Sequence, residues 1–479
     1  MLASINIPQV RRKFLEVIAP VRSMQPIGSP DASPRLAGSV LRSVRGVRLL
    51  DGTVADLLLA GGLVEAVVVP PPAAAPVADA AGSGAGDEPD GVDLDATGWR
   101  VLPAACEPHA HLDKTLTASR ADPDAGNDLV AAIEQWRAML PGVDAADISA
   151  RALAAVHRYV ARGITTIRTH VDVPFTGDPL RGVDALVALR EQLRGRVTLQ
   201  VCLLAGSEAP DAAIAEAVAR GIDVIGGCPH LAPDPHHEVT RMLDVAERHG
   251  LPVDLHADEQ TDVTGPDERM DIVDLAEQVL ARGLAHRVTA SHCVRLGSLP
   301  PKRLEPVLEL VARAGLGIVT LPITNLYLQG RDATHLQPRG LTAVRRILDA
   351  GISLAAGADN LRDPFNPGGR ADPFETTSLL MTAGHLRPQE ALAAVTSGAR
   401  AVLGLPRAGT APGDAADLLL VPDTDLGDVL AGADDARVVV SGGRVVADTR
   451  VGRSVDLPTG TVDGHLPTRQ TPAPLSVVR

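Results

Sequence analysis

Cys106-Glu107-Pro108-His109-Ala110-His111-Leu112-Asp113-Lys114 closes an apolar, strand-like run, and its two histidines stand one residue apart. Alternation along a strand turns both imidazoles to the same side, which is half of a metal site. Three further chemistry-bearing groups follow in order: His256 and Glu259 in Val253-Asp254-Leu255-His256-Ala257-Asp258-Glu259, His292 in Thr289-Ala290-Ser291-His292, and Asp359 in Ala356-Gly357-Ala358-Asp359-Asn360. Each ends an apolar run. In a parallel β/α barrel the C-terminal strand ends are where catalytic residues gather.

The intervening sequence alternates strand-like and helix-like segments, the mark of a parallel sheet. Strands are expected at residues 100–106, 164–171, 197–204, 223–226, 252–256, 287–292, 316–321 and 352–356. Helices are expected at residues 129–139, 148–161, 234–249 and 268–281, among others. Eight such units predict an α/β fold whose main body is a (β/α)8 TIM-like barrel over residues 99–403. An open doubly wound sheet is the competing architecture, but no glycine-rich phosphate fingerprint follows the first strand.

Short β runs punctuated by Asp51-Gly52 and Gly61-Gly62 precede the barrel, and similar runs return around residues 416–421 and 437–448. Neither half is large enough for a stable sheet alone, so the two chain ends are expected to pair into one small β-sandwich, residues 38–98 with 404–453. Residues 71–92 are a low-complexity Pro/Ala/Gly/Asp loop, residues 1–37 a loose extension and residues 454–479 a tail.

With 479 residues, a formal charge of −14 and no cluster of basic and aromatic residues, the chain is not expected to bind nucleic acid. No apolar run of membrane-spanning length occurs, and the four cysteines, Cys106, Cys202, Cys228 and Cys293, form no C-x-x-C pair. A cytoplasmic protein with reduced thiols and a small-molecule substrate is expected, with homo-oligomerisation open.

His109, His111, His256 and Asp359 supply three nitrogens and an oxygen for one divalent ion, zinc or ferrous iron. Such an ion would lower the pKa of a water and supply hydroxide, with Glu259 as proton shuttle, His292 assisting and Asp359 able to take a proton while ligating. The chain has three lysines, Lys13, Lys114 and Lys302, none at the end of strand four, so a lysine bridging two metals is not available. His170 and His230, at the ends of strands two and four, either support the ligands or are structural.

The segments Glu107-Pro108-His109-Ala110-His111-Leu112-Asp113, Arg168-Thr169-His170-Val171-Asp172-Val173, Gly226-Gly227-Cys228-Pro229-His230, His256-Ala257-Asp258-Glu259, Val288-Thr289-Ala290-Ser291-His292, Leu328-Gln329-Gly330-Arg331 and Asp359-Asn360 with Asp363-Pro364-Phe365 together resemble the amidohydrolase superfamily. The branch is that of cytosine deaminase and the triazine-hydrolysing enzymes, including N-isopropylammelide amidohydrolase. The resemblance implies one zinc or iron on His109, His111, His256 and Asp359, and hydrolysis of a C–N bond in an amino-substituted heterocycle with release of ammonia. Removal of an N-alkylamino group from a triazine, or opening of a cyclic amide, is the same-fold alternative, and a non-catalytic metal-binding barrel is a third reading. In the cytosine deaminases a Phe-Pro-Gln segment after strand three reads the pyrimidine edge, whereas Leu203-Leu204-Ala205-Gly206-Ser207-Glu208 stands here. Asn360 also replaces an aspartate. Gln329, Asn360 and Phe365, following strands seven and eight, are the expected substrate contacts.

Overall fold

A computed structural model describes residues 36–70, 91–122, 124–126, 128–262, 269–331, 339–451 and 476–478. The expected N-terminal extension up to residue 35, the low-complexity segment 71–90, Glu268 and the tail apart from residues 476–478 lie outside them.

Eight parallel strands follow one another in sequence order: β1 Ala105–Ala110, β2 Ile164–Asp172, β3 Thr198–Ala205, β4 Val224–Gly227, β5 Val253–Ala257, β6 Val288–His292, β7 Gly317–Thr320 and β8 Leu354–Ala356. Each pairs with its successor, and a parallel bridge between Ala110 and Asp359 brings the last strand back to the first. This is the barrel read from the sequence. The seam is reinforced by a side chain: the Glu107 carboxylate on β1 accepts the backbone N–H of Ala358, at 2.9 and 3.1 Å to its two oxygens. Gly357 is required beside it, because a Cβ there would sit 2.0 Å from Glu107 Oε1.

The connecting helices show how local chemistry sets their limits. Helix Ala145–Ala161 begins where the Asp144 side chain accepts the N–H of Asp147, and helix Pro235–His249 where Asp234 accepts that of His237. The latter stops at Gly250, whose φ of 65° is the left-handed cap that lacks a Cβ penalty. Their apolar faces pack on the outside of the barrel in one continuous core, with Ile148, Ala152, Val156, Val239, Met242 and Leu243 all buried.

The first expected strand needs correction. Residues 100–106 are not one strand: Trp99–Pro103 pairs antiparallel with Leu418–Pro422 in a second sheet, and the barrel starts only at Ala105. Both runs are buried except at Pro103, which is partly exposed, and no polar residue marks the break at Ala104. The second sheet joins both chain ends, in the order Arg444–Thr449, Arg437–Ser441, Leu418–Pro422, Trp99–Pro103, Leu41–Arg48, Val54–Ala60 and Leu63–Val68, with Val92–Asp95 attached at Leu41–Arg48 and Ser476–Val478 paired to Val92–Asp95. Bridges from Val40 to Arg444 and from Leu63 to Ala415 fold it over a core of Val44, Val47, Leu57, Leu94, Val101, Leu418, Leu420 and Val438. Arg437, fully buried, reaches from this sheet to the Asp372 carboxylate that caps helix Pro373–Thr382.

Candidate active site

The C-terminal mouth of the barrel gathers the groups that the sequence scattered over 250 residues. His109 lies on β1, His111 one residue beyond it, His256 on β5, and Asp359 three residues beyond β8. All four are buried. His109 Nε2 lies 3.1 Å from His256 Nε2, which lies 3.3 Å from His111 Nε2; Asp359 Oδ1 stands 3.2 Å from His111 Nε2 and 3.9 Å from His109 Nε2. Four ligands at metal bond lengths of about 2.0–2.1 Å in a tetrahedron would stand about 3.3 Å apart. The four distances lie near that spacing, and His109, His111 and Asp359 form one group whose donor atoms could hold an ion. Asp359 Oδ1 makes no hydrogen bond, and burial holds His109, His111 and His256 well below, and Asp359 well above, their ordinary pKa values. Burial thus disfavours charge on all four groups, and a cation that took up their lone pairs would offset that cost.

Behind these four groups, His109 Nδ1 meets Ser291 Oγ at 3.0 Å, and that hydroxyl donates to Asp254 Oδ1 at 2.6 Å. Arg168 donates to the other Asp254 oxygen at 2.8 Å. This chain of bonds fixes the ring so that Nε2 points into the centre. His170 stacks on His109 with ring centroids 3.8 Å apart and stands 3.6 Å from Asp254. With His109 and His256 it forms a second group of convergent nitrogens.

Glu259 is 4% exposed; its carboxylate faces His292 Nδ1 at 3.6 Å and His230 Nε2 at 3.5 Å. Burial raises its pKa, but His292 and His230 outweigh that, leaving it below the usual glutamate range and therefore a base at neutral pH. His230 Nδ1–H donates to the His256 carbonyl, 3.0 Å away, so the ring links the His256 strand to Glu259. The sequence left His230 undecided, because P-H after a glycine pair reads equally well as a turn. Asn325 holds His292 Nδ1 at 3.0 Å. Asp258, His292 and Asp359 have φ of 52°, 70° and 69°, so left-handed backbone recurs at three strand ends around the site.

A cavity of about 280 Å³ opens onto His111, His256, Glu259, His292 and Asp359. Asn360 and Phe365 line it, together with Gly206, Ser207 and Glu208 from the segment after β3. Gln329 does not: it is buried at the C-cap of helix Pro322–Leu328. Sequence reading missed Lys114, Trp136 and Asp172 as wall residues. Lys114 and Asp172 follow β1 and end β2, and that position was the available signal.

This barrel and its mouth define a metal-site hydrolase architecture, and the sequence agrees: residues 138–447 match the Amidohydrolase family, and the chain belongs to it. It is a hydrolase acting on carbon–nitrogen bonds other than peptide bonds. It shares 30% identity over 403 residues with a pterin deaminase of Rhizobium rhizogenes, covering 82% of this chain and 87% of the relative. A 5-methylcytosine deaminase from Klebsiella pneumoniae, solved with phosphonocytosine, superposes with a TM-score of 0.75 at 27% identity, over 86% of this chain and 100% of its own. N-isopropylammelide isopropylaminohydrolase from Burkholderia multivorans gives 0.70 at 29% identity, over 86% and 99%. Among the described residues no helix is long and apolar enough to cross a membrane.

Proposed function

We propose that the protein hydrolyses the exocyclic C–N bond of a planar amino-substituted heterocycle, releasing ammonia. The observation that carries this is Glu259 held as a carboxylate between His292 and His230 beside the His109, His111, His256 and Asp359 cluster. Those four residues would hold one divalent ion, zinc or ferrous iron, which when bound supplies Lewis acidity and brings the pKa of a water towards neutrality. Glu259 takes one proton of the attacking water at a carboxylate oxygen and passes it to the ring nitrogen, then takes the remaining hydroxyl proton of the adduct and passes it to the leaving amine, which departs as ammonia. A C–O bond forms, the C–N bond breaks, and the ring keeps a carbonyl in place of the amino group. His292, its orientation fixed by Asn325, donates toward the oxygen at which charge develops. Phe365 packs on the ring face and Asn360 meets its edge. The buried thiols of Cys106, Cys202 and Cys293 fit a cytoplasmic protein.

The pterin, 5-methylcytosine and N-isopropylammelide named for the relatives form the first substrate panel. Ammonia release from the metal-loaded protein, read with product mass, tests the reading. Isopropylamine from N-isopropylammelide, with no ammonia from the other two, would favour the N-alkylamino alternative, and no amine from any amino-heterocycle would overturn both.

A further inference from the structure

Resting on that reading, we infer that Lys114 and Asp172 form a donor–acceptor pair that reads an adjacent carbonyl and N–H of the ring, in place of the glutamine absent after β3. Both residues line the cavity, and they come from neighbouring strands, Lys114 just beyond β1 and Asp172 at the end of β2. Lys114 Nζ stands 3.0 Å from each Asp172 oxygen, and Trp136 Nε1 donates to Oδ2 at 2.8 Å. Asp172 Oδ1 therefore accepts from Lys114 alone among the described residues and keeps a lone pair. Lys114 has three N–H bonds and, among the described residues, no side-chain acceptor other than Asp172.

The pair is built rather than incidental. Lys114 is 4% exposed, so its charge is held in the wall and cannot swing into solvent. Arg151 donates to the carbonyls of Asp113 and Thr115 at 2.8 and 2.7 Å, pinning the backbone on either side of Lys114. Asp113 in turn accepts the backbone N–H of Asp172 at 3.0 Å, tying the two strand ends together. Lys114 Nζ lies over the Phe365 ring, 5.3 Å from its centroid, so a heterocycle lodged beside Phe365 would come within reach of the pair. An ammonium beside a carboxylate complements a C=O next to an N–H, the edge of a lactam. By contrast, Gly206 and Ser207 after β3 supply no long amide to do this.

The test measures binding without turnover. Calorimetry on the metal-loaded protein would compare 2,4-dioxopyrimidine and 2,4-dioxopteridine, product-like lactams with no amino group to lose, with their N3-methyl derivatives. Wild type is expected to bind at least one parent ring tenfold or more tightly than its N-methyl form. Lys114→Met and Asp172→Asn should each weaken the parent about 10- to 100-fold, as expected for hydrogen bonds to charged groups, and change the N-methyl form less than about threefold. A Lys114→Gln, Asp172→Asn double variant leaves no unpaired buried charge and should restore most of the preference, which guards against misfolding. Equal weakening of both ligands, or unchanged affinity for the parents, overturns the assignment. Ammonia release from the panel alongside either result sinks the edge pair alone; absence of any amine release and of any ring binding sinks the functional reading with it.

Discussion

Gly357→Ala should damage the protein out of proportion to one methyl group. The added Cβ would lie 2.0 Å from Glu107 Oε1 and 3.0 Å from Pro108 Cδ. A relaxed contact needs about 3.5 Å, so the carboxylate has to retreat by roughly 1.5 Å. It is not free to do so, being fully buried and bonded to Ala358 N–H, with His109 N–H at 3.4 Å. Overpacking costs about 1–3 kcal/mol and a buried polar group left without its partner about as much again, for a sum near 2–6 kcal/mol. The strand end displaced by the clash carries Asp359, so metal affinity should fall too. In a Glu107→Ala background the nearest obstacle is gone and only Pro108 Cδ at 3.0 Å remains tight, so adding Gly357→Ala should cost less than about 1 kcal/mol, a coupling typical of touching residues. Urea midpoints of the four metal-loaded proteins, with metal content by elemental analysis, measure the cycle. If Gly357→Ala costs the same in both backgrounds, or less than about 0.5 kcal/mol in the wild type, the seam is not held as argued.

Three other outcomes are expected. His109→Ala should lose the metal, with wild type holding one equivalent per chain; two equivalents by elemental analysis, unaffected by the substitution, would refute the single-ion site. Glu259→Gln should keep metal and ligand binding but lower kcat about 10²- to 10⁴-fold, the range for general acid–base groups, and wild-type turnover would move the shuttle elsewhere. Ser291→Ala should weaken metal affinity about 10- to 100-fold by freeing the His109 ring, measured by competition with a chelator, since ligand-orienting partners contribute on that scale.

Barrel and ligand strands were legible because each short strand is apolar and stops at a group unsuited to burial unless it binds something. His256, His292 and Asp359 all follow that pattern. The glutamine at 329 was expected in the cavity from its position after β7, whereas it is buried at the C-cap of helix Pro322–Leu328 and is not among the residues that line the cavity. Lys114 and Asp172 were hard to read for the opposite reason: an ion pair looks structural until the wall on which it lies is known. The junction at Ala104 was invisible, because two buried strands of different sheets abut with no change in polarity.

The pairing of Trp99–Pro103 with Leu418–Pro422 has a bearing on synthesis. A ribosome emits the first of these strands more than 300 residues before its partner. During that interval the edge of Trp99–Pro103 is open, with the first barrel strand one residue behind it. Barrel strands meanwhile find neighbours as soon as each successor emerges, so they form by short-range closure. The small sheet is thus completed only once residues 418–449 are made, and since Leu419, Val421 and Val439 also belong to the barrel's core, that step completes both. Nascent chains halted before residue 418 should be the ones that chaperones and proteases recognise.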